Sequence, residues 1–293
     1  MHDWEVVVVG AGASGLVAAF RSAERGRRTL LLEKNRKAGA KILMSGGTRC
    51  NLTHATDKQG IVREFGPPGR FLHSALSVLG PQAVVELFEA EGVATKIEPE
   101  TGKIFPASDK ALDVLGALLR RLDRSGCVLA REEPLEKLER LDRGFRLTTP
   151  LRTLTAVKVV LAPGGTSYPG CGTQGDGYAW IAALGHTLVA PRPALVPLRT
   201  DAAWVHALSG ITIPDTLIRV LTAESAAAFP GTRAGDALAQ RRGSLLFTHF
   251  GLSGPVVLDV SRTVSGHAGP ERLALVCDFL PDMRAGQLEA IVA

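Results

Sequence analysis

The chain has 293 residues, of which 45% are hydrophobic and 22% charged, with a formal net charge of +5. This length exceeds one average domain, and the composition excludes bulk disorder because enough apolar side chains are present for a large core. Aromatic residues make up only 5%, against 32 glycines and 17 prolines. That balance favours an α/β protein with many tight turns over an aromatic-rich all-β protein.

The cysteines and the first residues bear on location. None of the cysteines has C-x-x-C spacing, which excludes a zinc knuckle or a dithiol centre and favours a reducing compartment. Residues 6–20 are apolar, but residues 1–5 carry two acidic side chains and no Lys or Arg, unlike a secretory leader. No apolar run approaches the ~20 residues of a membrane helix. We predict a cytoplasmic protein with no membrane span.

The chain begins with a predicted βαβ unit. Glu5–Val9 is typical of a buried parallel strand, and a glycine-rich turn leads to a helix at Ser14–Arg25. Gly26 ends that helix, and Thr29–Glu33 forms the next strand. Residues 35–69 are irregular and rich in Gly, Lys and Arg, which suggests a binding segment. Residues 21–49 hold nine Lys or Arg and two Glu. They form either a solvated face or a cationic surround for phosphates of a cofactor or RNA.

The remaining patterns predict two domains, 1–190 and 191–293, with a boundary at the proline-rich 190–193. In the first we expect a helix at 71–91 broken at 80–81, a hairpin at 95–105, a helix at 108–125 capped by Ser108, a strand at 127–130, a hairpin at 135–147 and a buried strand at 157–161. The second is predicted to be β-rich, with strands at 195–198, 216–222, 244–248 and 272–279. A helix predicted from Pro281 is still in phase at Ala293, so we expect the chain to be truncated.

The most informative motif is Gly10-Ala-Gly12-Ala-Ser-Gly15, placed directly between the first strand and the first helix. The first glycine permits a tight turn, the second lets the backbone approach a pyrophosphate, and the third allows close helix–strand packing. The helix N-terminus offers unpaired N–H groups to phosphates. Glu33 follows Gly15 by 18 residues, close to the ~20 expected of a carboxylate that binds a ribose diol. An acidic residue there disfavours NADP.

The second constellation runs from Gly39 to Asn51, with the sequence GAKILMSGGTRCN. It offers a flexible backbone, two cations, a hydroxyl and an amide, and it can donate several N–H groups to a phosphate or a heteroaromatic ring. The alternative is an ordinary surface loop.

Here the chain resembles the BaiN-like (aminoacetone-oxidase-like) family of FAD-dependent oxidoreductases. The resemblance recurs, in the family's order, at 105–108, 164–169, 175–178, 195–198 and 246–255. It implies a glutathione-reductase-type, Rossmann-like FAD-binding domain (α/β) with an inserted β-rich, barrel-like domain. It also implies a set of contacts to FAD. The residues that would contact the ADP half are Gly10, Gly12, Ala13, Ser14, Gly15 and Glu33, with Leu135 at the adenine and Gly164 and Gly165 close to the dinucleotide. The residues that would run along the pyrophosphate towards the flavin are Lys34, Gly39, Lys41, Ser45, Gly46, Gly47, Arg49, Cys50 and Asn51.

The sequence also departs from this family. Thr48 stands where the family usually has a third glycine, Pro163 replaces a threonine, and Ser244 replaces a glutamate. The family's chain continues past the inserted domain and returns to complete the flavin site. This expectation raises the alternative that the chain is an FAD-binding fragment without catalysis.

Two residues are candidates for catalysis. Cys50 would serve as a proton donor during reduction of a double bond, or else is a small buried hydrophobe. His249 would face substrate, or else is a hydrogen-bonded structural histidine. Asp176 is expected to cap a helix, and Tyr168 to stack on a planar ligand or to pack. No metal-ligand spacing or Ser-His-Asp arrangement is defined by the sequence.

The leading functional hypothesis is two-electron redox chemistry by FAD on a small-molecule substrate. The sequence has no second glycine fingerprint after a strand, so NAD(P)H is expected to act as a transient electron donor. The second hypothesis is reduction of uracil in ribosomal RNA to dihydrouridine, which the resembled family and a pI of about 9.2 permit. Salt-sensitive RNA binding would distinguish them.

Overall fold

A computed structural model describes residues 2–228 and 236–283. Tertiary contacts divide the chain into two units, Met1–Leu188 and Val189–Ala293. The first unit contains strands β1 (Trp4–Val9), β2 (Thr29–Leu32), β3 (Thr53–His54), β4 (Thr95–Ile97), β5 (Lys103–Pro106), β6 (Val128–Ala130), β7 (Lys137–Arg140), β8 (Phe145–Thr148) and β9 (Thr153–Leu161). Its helices are α1 (Ala13–Glu24), α2 (Ala40–Met44), α3 (Lys58–Phe65), α4 (His73–Val78), α5 (Pro81–Ala90), α6 (Ala111–Arg124) and α7 (Asp176–Ala183), with 3-10 turns at Pro67–Leu72 and Pro169–Cys171.

The first unit is organised around a six-stranded sheet in the order β6-β2-β1-β9-β8-β7. Strands β6, β2, β1 and β9 run parallel, and β8 and β7 extend the sheet as an antiparallel meander. Helix α1 connects β1 to β2, as expected of a βαβ unit. The carboxyl ends of the parallel strands therefore lie at one edge, where ligands of such sheets bind. The predicted Rossmann-like α/β fold is confirmed.

The valines of β1 alternate between the two faces of this sheet. Val8 packs in a cluster with α1 and α6 that includes Leu16 and Leu118. Val7 and Val9 pack on the opposite face with Leu30, Leu32 and Leu135. A strand that is buried on both faces reads as a continuous apolar run, which is why four successive valines predicted it correctly.

The second unit is a five-stranded antiparallel sheet in the order β10-β13-β12-β11-β14, packed on helix α10. Its core contains Ile218, Phe247 and Val257. The elements are β10 (Leu198–Arg199), β11 (Thr212–Thr222), β12 (Ala239–Thr248), β13 (Gly251–Ser253), β14 (Leu273–Asp278), α8 (Ala203–Ala207), α9 (Ala223–Ala227) and α10 (Pro255–Gly266), with a 3-10 turn at Pro270–Arg272.

Several sequence predictions need correction. Ser108 does not cap α6, because the helix begins at Ala111 and the Ser108 hydroxyl instead bonds to Asp113. The strand at 157–161 is only partly buried, since Val157 is 43% and Val160 38% exposed. The strand predicted at 195–198 begins only at Leu198. The helix predicted from Pro281 falls largely on residues 284–293, outside the described residues.

One helical stretch among the described residues, Pro67–Ala90, has the length and hydropathy of a membrane span. The prediction that no apolar run approaches this length therefore fails for this stretch by length and composition. The stretch is not one continuous helix, since Gly80 is extended (φ −81°, ψ 176°) and separates α4 from α5. One such stretch is by itself weak evidence for a membrane span.

Candidate functional site

Close packing permits no side chain at two of the three glycines in the turn after β1. Gly10 has φ +97°, and a Cβ there would lie 2.4 Å from the Ala162 carbonyl oxygen on the loop after β9. A Cβ on Gly15 would lie 1.8 Å from the Gly10 carbonyl oxygen. Only glycine lets α1 approach the end of the sheet this closely.

Gly12 is different, because no packing contact and no backbone strain require it. Its φ is −79° and its ψ is −173°, which any residue adopts, and no described atom lies within 4 Å of the position of a Cβ. The residue faces a cavity of about 760 Å³ that Ala13 and Ser14 also line. The first N–H groups of α1 have no intrahelical acceptor and carry a partial positive charge. A glycine beside open space at a helix N-terminus is what close approach of a phosphate requires.

Glu33 lies at the carboxyl end of β2 and lines the same cavity. Its side chain is nearly buried, and its two carboxylate oxygens accept hydrogen bonds at 2.8 Å from the backbone N–H groups of Ala11 and Asn35. These bonds fix the carboxylate against the glycine turn. A carboxylate has about four acceptor positions, so two remain for a ligand's hydroxyl groups.

Two cations reach across the cavity from the segment after β2. Lys34 Nζ lies 2.5 Å from the Asp176 carboxylate, and Lys41 Nζ donates to the Ser167 carbonyl oxygen at 2.8 Å. Asp176 is therefore an ion-pair partner in the first turn of α7, and the expected capping role is wrong because Gly175 occupies the N-cap position. Lys34, Lys41 and Asp176 all line the cavity, so its lining includes both positive and negative side chains.

A buried carboxylate, paired with a half-exposed arginine, supports another part of the cavity wall. Glu133 is 3% exposed, and both of its carboxylate oxygens accept from the Arg152 guanidinium, at 2.9 and 3.0 Å. The Thr149 hydroxyl also donates to Glu133 at 3.0 Å. The pair keeps the backbone from Glu133 to Leu135 in place, and Leu135 lines the cavity with its apolar side chain.

The segment from Gly39 to Asn51 runs along the cavity as short helix α2 and a tight loop. Gly39 N–H donates to the Ala11 carbonyl oxygen at 2.9 Å, which joins this segment to the glycine turn. The loop has positive φ at Gly46, Gly47 and Thr48, the last at +71°. Since a side chain is strained at positive φ, Thr48 strains the loop.

Cys50 ends this loop and is buried against the cavity. Its N–H donates to the Ser45 carbonyl oxygen at 3.0 Å, and Ser45 and Asn51 line the cavity beside it. Burial raises the pKa of the Cys50 thiol, and a hydrogen bond with Ser45 opposes the shift. The side chain is therefore a protonated thiol at neutral pH, able to hold a proton but not to act as a thiolate nucleophile.

Arg49 points away from the cavity. Its guanidinium lies 2.6 Å from Glu98 and 4.1 Å from the centre of the Phe105 ring. It also lies 3.7 Å from Asp109. Arg49 thus anchors the loop to the small sheet of β3, β5 and β4.

The structure brings most of the predicted residues together. Of the predicted contacts, the cavity is lined by Gly10, Gly12, Ala13, Ser14, Glu33, Lys34, Gly39, Lys41, Ser45, Cys50, Asn51, Leu135 and Gly164. Gly15, Gly46, Gly47, Arg49 and Gly165 do not line it.

The remaining candidates are more exposed. His249 lies in the second unit, in the turn between β12 and β13, where its ring meets Phe250 edge-on at 5.0 Å. Tyr168 is 69% exposed. Among residues 2–228 and 236–283, no group of three or more His, Cys, Asp or Glu side chains is arranged to hold a metal ion.

Sequence reasoning missed several lining residues, chief among them Asn35, Glu133, Trp180 and the apolar side chains of α5 and α6. Asn35 and Glu133 each follow a predicted parallel strand, and that position was an available signal. The leucines and valines carry no such signal, because an apolar helix face looks the same whether it meets a core or a cavity.

A parallel sheet with this glycine turn, a helix N-terminus facing a cavity and an acidic residue ending the second strand define a dinucleotide-binding protein of the Rossmann type. The chain belongs to the family described as HI0933-like protein Rossmann domain, whose model matches residues 4–266. This is an FAD-binding family of oxidoreductases.

Among its relatives, the chain is 31% identical over 264 residues to the ribosomal RNA dihydrouridine synthase of Escherichia coli (strain K12), covering 89% of this chain and 61% of that protein. It is 31% identical over 284 residues to the 3-dehydro-bile acid delta(4,6)-reductase of Clostridium scindens, covering 96% and 66%. The chain therefore spans less than two thirds of the length of either relative. The solved structure of Thermovibrio ammonificans THI4 is similar with 15% identity, 70% coverage of each chain and a TM-score of 0.40, too low to carry an argument.

Proposed function

We propose that this protein binds FAD in the cavity of the first unit and carries out two-electron oxidation or reduction of a small organic substrate. The observation that carries the proposal is Gly12, a glycine that neither packing nor backbone conformation requires and that faces open space at the N-terminus of α1. A dinucleotide pyrophosphate is the group whose close approach would need it. In this proposal residues 1–190 form the FAD-binding domain and 191–293 an inserted β-rich domain.

The lining residues fit the parts of FAD in order. The N–H groups at Gly12, Ala13 and Ser14 would bind the pyrophosphate, and the free acceptor positions of Glu33 would bind the ribose diol. Leu135 would contact the adenine, and the Gly39–Asn51 segment would extend along the flavin half. Lys34 and Lys41 lie close enough to the cavity to balance phosphate charge.

When bound, FAD supplies the electron exchange, and the protein's own groups position it and keep water away. Cys50 would hold the proton that reduction of a double bond needs, because its buried thiol stays protonated at neutral pH. No role follows for the exposed His249. NAD(P)H would meet the flavin transiently, because the sequence has only one glycine fingerprint placed between a strand and a helix.

The test begins with the visible spectrum of the purified 293-residue chain and identification of the cofactor released by heat. The proposal expects FAD, and bleaching of the flavin spectrum when NADH or NADPH is added without oxygen. A folded chain that stays colourless after incubation with FAD would refute the proposal. A bound flavin that no reductant bleaches would leave FAD binding intact and refute the catalytic part for this chain.

A second candidate substrate is uracil in ribosomal RNA. It is favoured by the relative named ribosomal RNA dihydrouridine synthase and by the cations of residues 21–49, where Arg36 and Lys37 are exposed. Its test is binding of a ribosomal RNA fragment at low salt, with an affinity that falls steeply as salt is raised. Absence of binding at low salt would exclude it.

A further inference from the structure

The cavity is lined by residues of both core clusters, which lie on opposite faces of the six-stranded sheet, and we distinguish its two ends by these clusters. One end is bordered by Leu32 and Leu135, which belong to the core cluster of Val7 and Val9. The other end reaches into the cluster of Val8, between α2, α5 and α6. We call this second end the apolar lobe, and its walls include Ile42, Leu52, Val84, Leu87, Phe88 and Leu118.

The apolar lobe is the part of the cavity that hydrophobic core residues line. Ile42, Phe88 and Leu118 are each less than 9% exposed, although all three line the cavity. Protein interiors are close-packed, and voids larger than a water molecule are few. Water gains little in a space with apolar walls, because it needs two to four polar partners there. Such a space is suited to an apolar group.

The side chains that form the walls of the apolar lobe are all apolar. Among the described lining residues of the whole cavity, those that carry charge are Glu33, Lys34, Lys41, Glu133 and Asp176. Lys41 neighbours the lobe, but its Nζ is held at the Ser167 carbonyl oxygen. The Cys50 thiol belongs to the lobe's cluster and lines the cavity.

We propose that the apolar lobe binds the organic substrate and selects an uncharged apolar ring or alkyl chain. This inference rests on the proposed function, in which FAD takes the polar end and Cys50 holds a proton beside the lobe. An ionised group would lose its hydration among the apolar walls of the lobe without gaining a partner from them. The lobe therefore favours an uncharged apolar molecule over a charged one.

The experiment uses FAD-loaded protein and the neutral fluorophore N-phenyl-1-naphthylamine. The wild type is expected to bind one fluorophore saturably, with a perturbed flavin spectrum because the two sites adjoin. Val84→Phe fills the lobe and is expected to weaken fluorophore binding at least tenfold while FAD affinity stays within twofold. Leu87→Phe is a second filling variant. The matched control is Val85→Phe, at the next position of α5, which is equally half-buried but does not line the cavity and should change neither affinity.

Each outcome separates the two proposals. If the purified protein binds no FAD, the proposed function falls. If it binds FAD but the wild type shows no saturable fluorophore binding, or if the filling variants bind as the wild type does, the inference alone falls. If folded Val84→Phe and Leu87→Phe lose FAD and fluorophore equally, the lobe holds the flavin ring and the inference is overturned. Circular dichroism establishes whether each variant is folded. If both filling variants unfold, the titration of the wild type with the fluorophore tests the inference.

Discussion

Replacing Gly12 with alanine should lower the affinity for FAD without destabilising the cofactor-free protein. The backbone there is extended, with φ −79° and ψ −173°, so alanine fits without strain. No described atom lies within 4 Å of the added methyl group. By restricting the unfolded chain, Gly→Ala at a compatible site stabilises by about 0.4–1 kcal/mol. The melting temperature of Gly12→Ala without cofactor should therefore be unchanged or rise, by up to about 4 °C.

The same methyl group projects into the cavity where the pyrophosphate would meet the N-terminus of α1. Loss of one hydrogen bond to a charged group costs about 1.5–3 kcal/mol, so FAD affinity should fall on the order of 10- to 100-fold. The assay is titration of cofactor-stripped protein with FAD, followed by flavin fluorescence, beside thermal unfolding without FAD.

A matched control is Gly266→Ala at the end of α10 in the second unit, where a Cβ also meets nothing within 4 Å. It should leave FAD affinity unchanged. If Gly12→Ala binds FAD as tightly as the wild type, the placement of the pyrophosphate at Gly12 is wrong. If it is instead destabilised without cofactor, the claim of open space at Gly12 is wrong.

Three further predictions follow from the same unit. Gly15→Ala should destabilise the cofactor-free protein by about 1–3 kcal/mol in urea unfolding, because its Cβ would lie 1.8 Å from the Gly10 carbonyl oxygen; unchanged stability would contradict this packing. Arg152→Ala should lower the free energy of unfolding by about 1–3 kcal/mol, which is less than for a fully buried pair because Arg152 is half-exposed. Adding Glu133→Gln should recover part of this loss. If it recovers nothing, Glu133 is not a buried unpaired charge in the single variant. Burial raises the pKa of Cys127 to about 11, above an unfolded value of about 8.5. Between these values the native state binds more protons, so the free energy of unfolding should fall as pH rises, and Cys127→Ala should reduce that slope; an identical slope in the variant would refute the assignment.

The sequence determined the local elements of the cofactor site. Residue periodicity and turn chemistry act over a few positions, so β1, α1 and the turn from Gly10 to Gly15 were predicted within one or two residues. Glu33 was placed correctly at the end of the second strand for the same reason: it sits at a fixed spacing from the turn.

Other features depend on partners that are remote along the chain. Arg49 was expected beside the flavin, yet it lies against Glu98, 49 positions away. Nothing near Arg49 in the sequence indicates which carboxylate it will meet. Asp176 was expected to cap its own helix, yet it pairs with Lys34 across 142 positions.

The apolar lobe shows the same division between sequence and structure most clearly. The periodicity of α5 and α6 predicts that Val84, Phe88 and Leu118 face inward, and they do. Whether inward-facing side chains fill a core or leave a cavity depends on how closely the side chains of α2, α5 and α6 pack together. No local sequence pattern determines that packing. The sequence thus determined the fold and the nucleotide fingerprint, whereas only the tertiary structure decided where the chain leaves an apolar cavity.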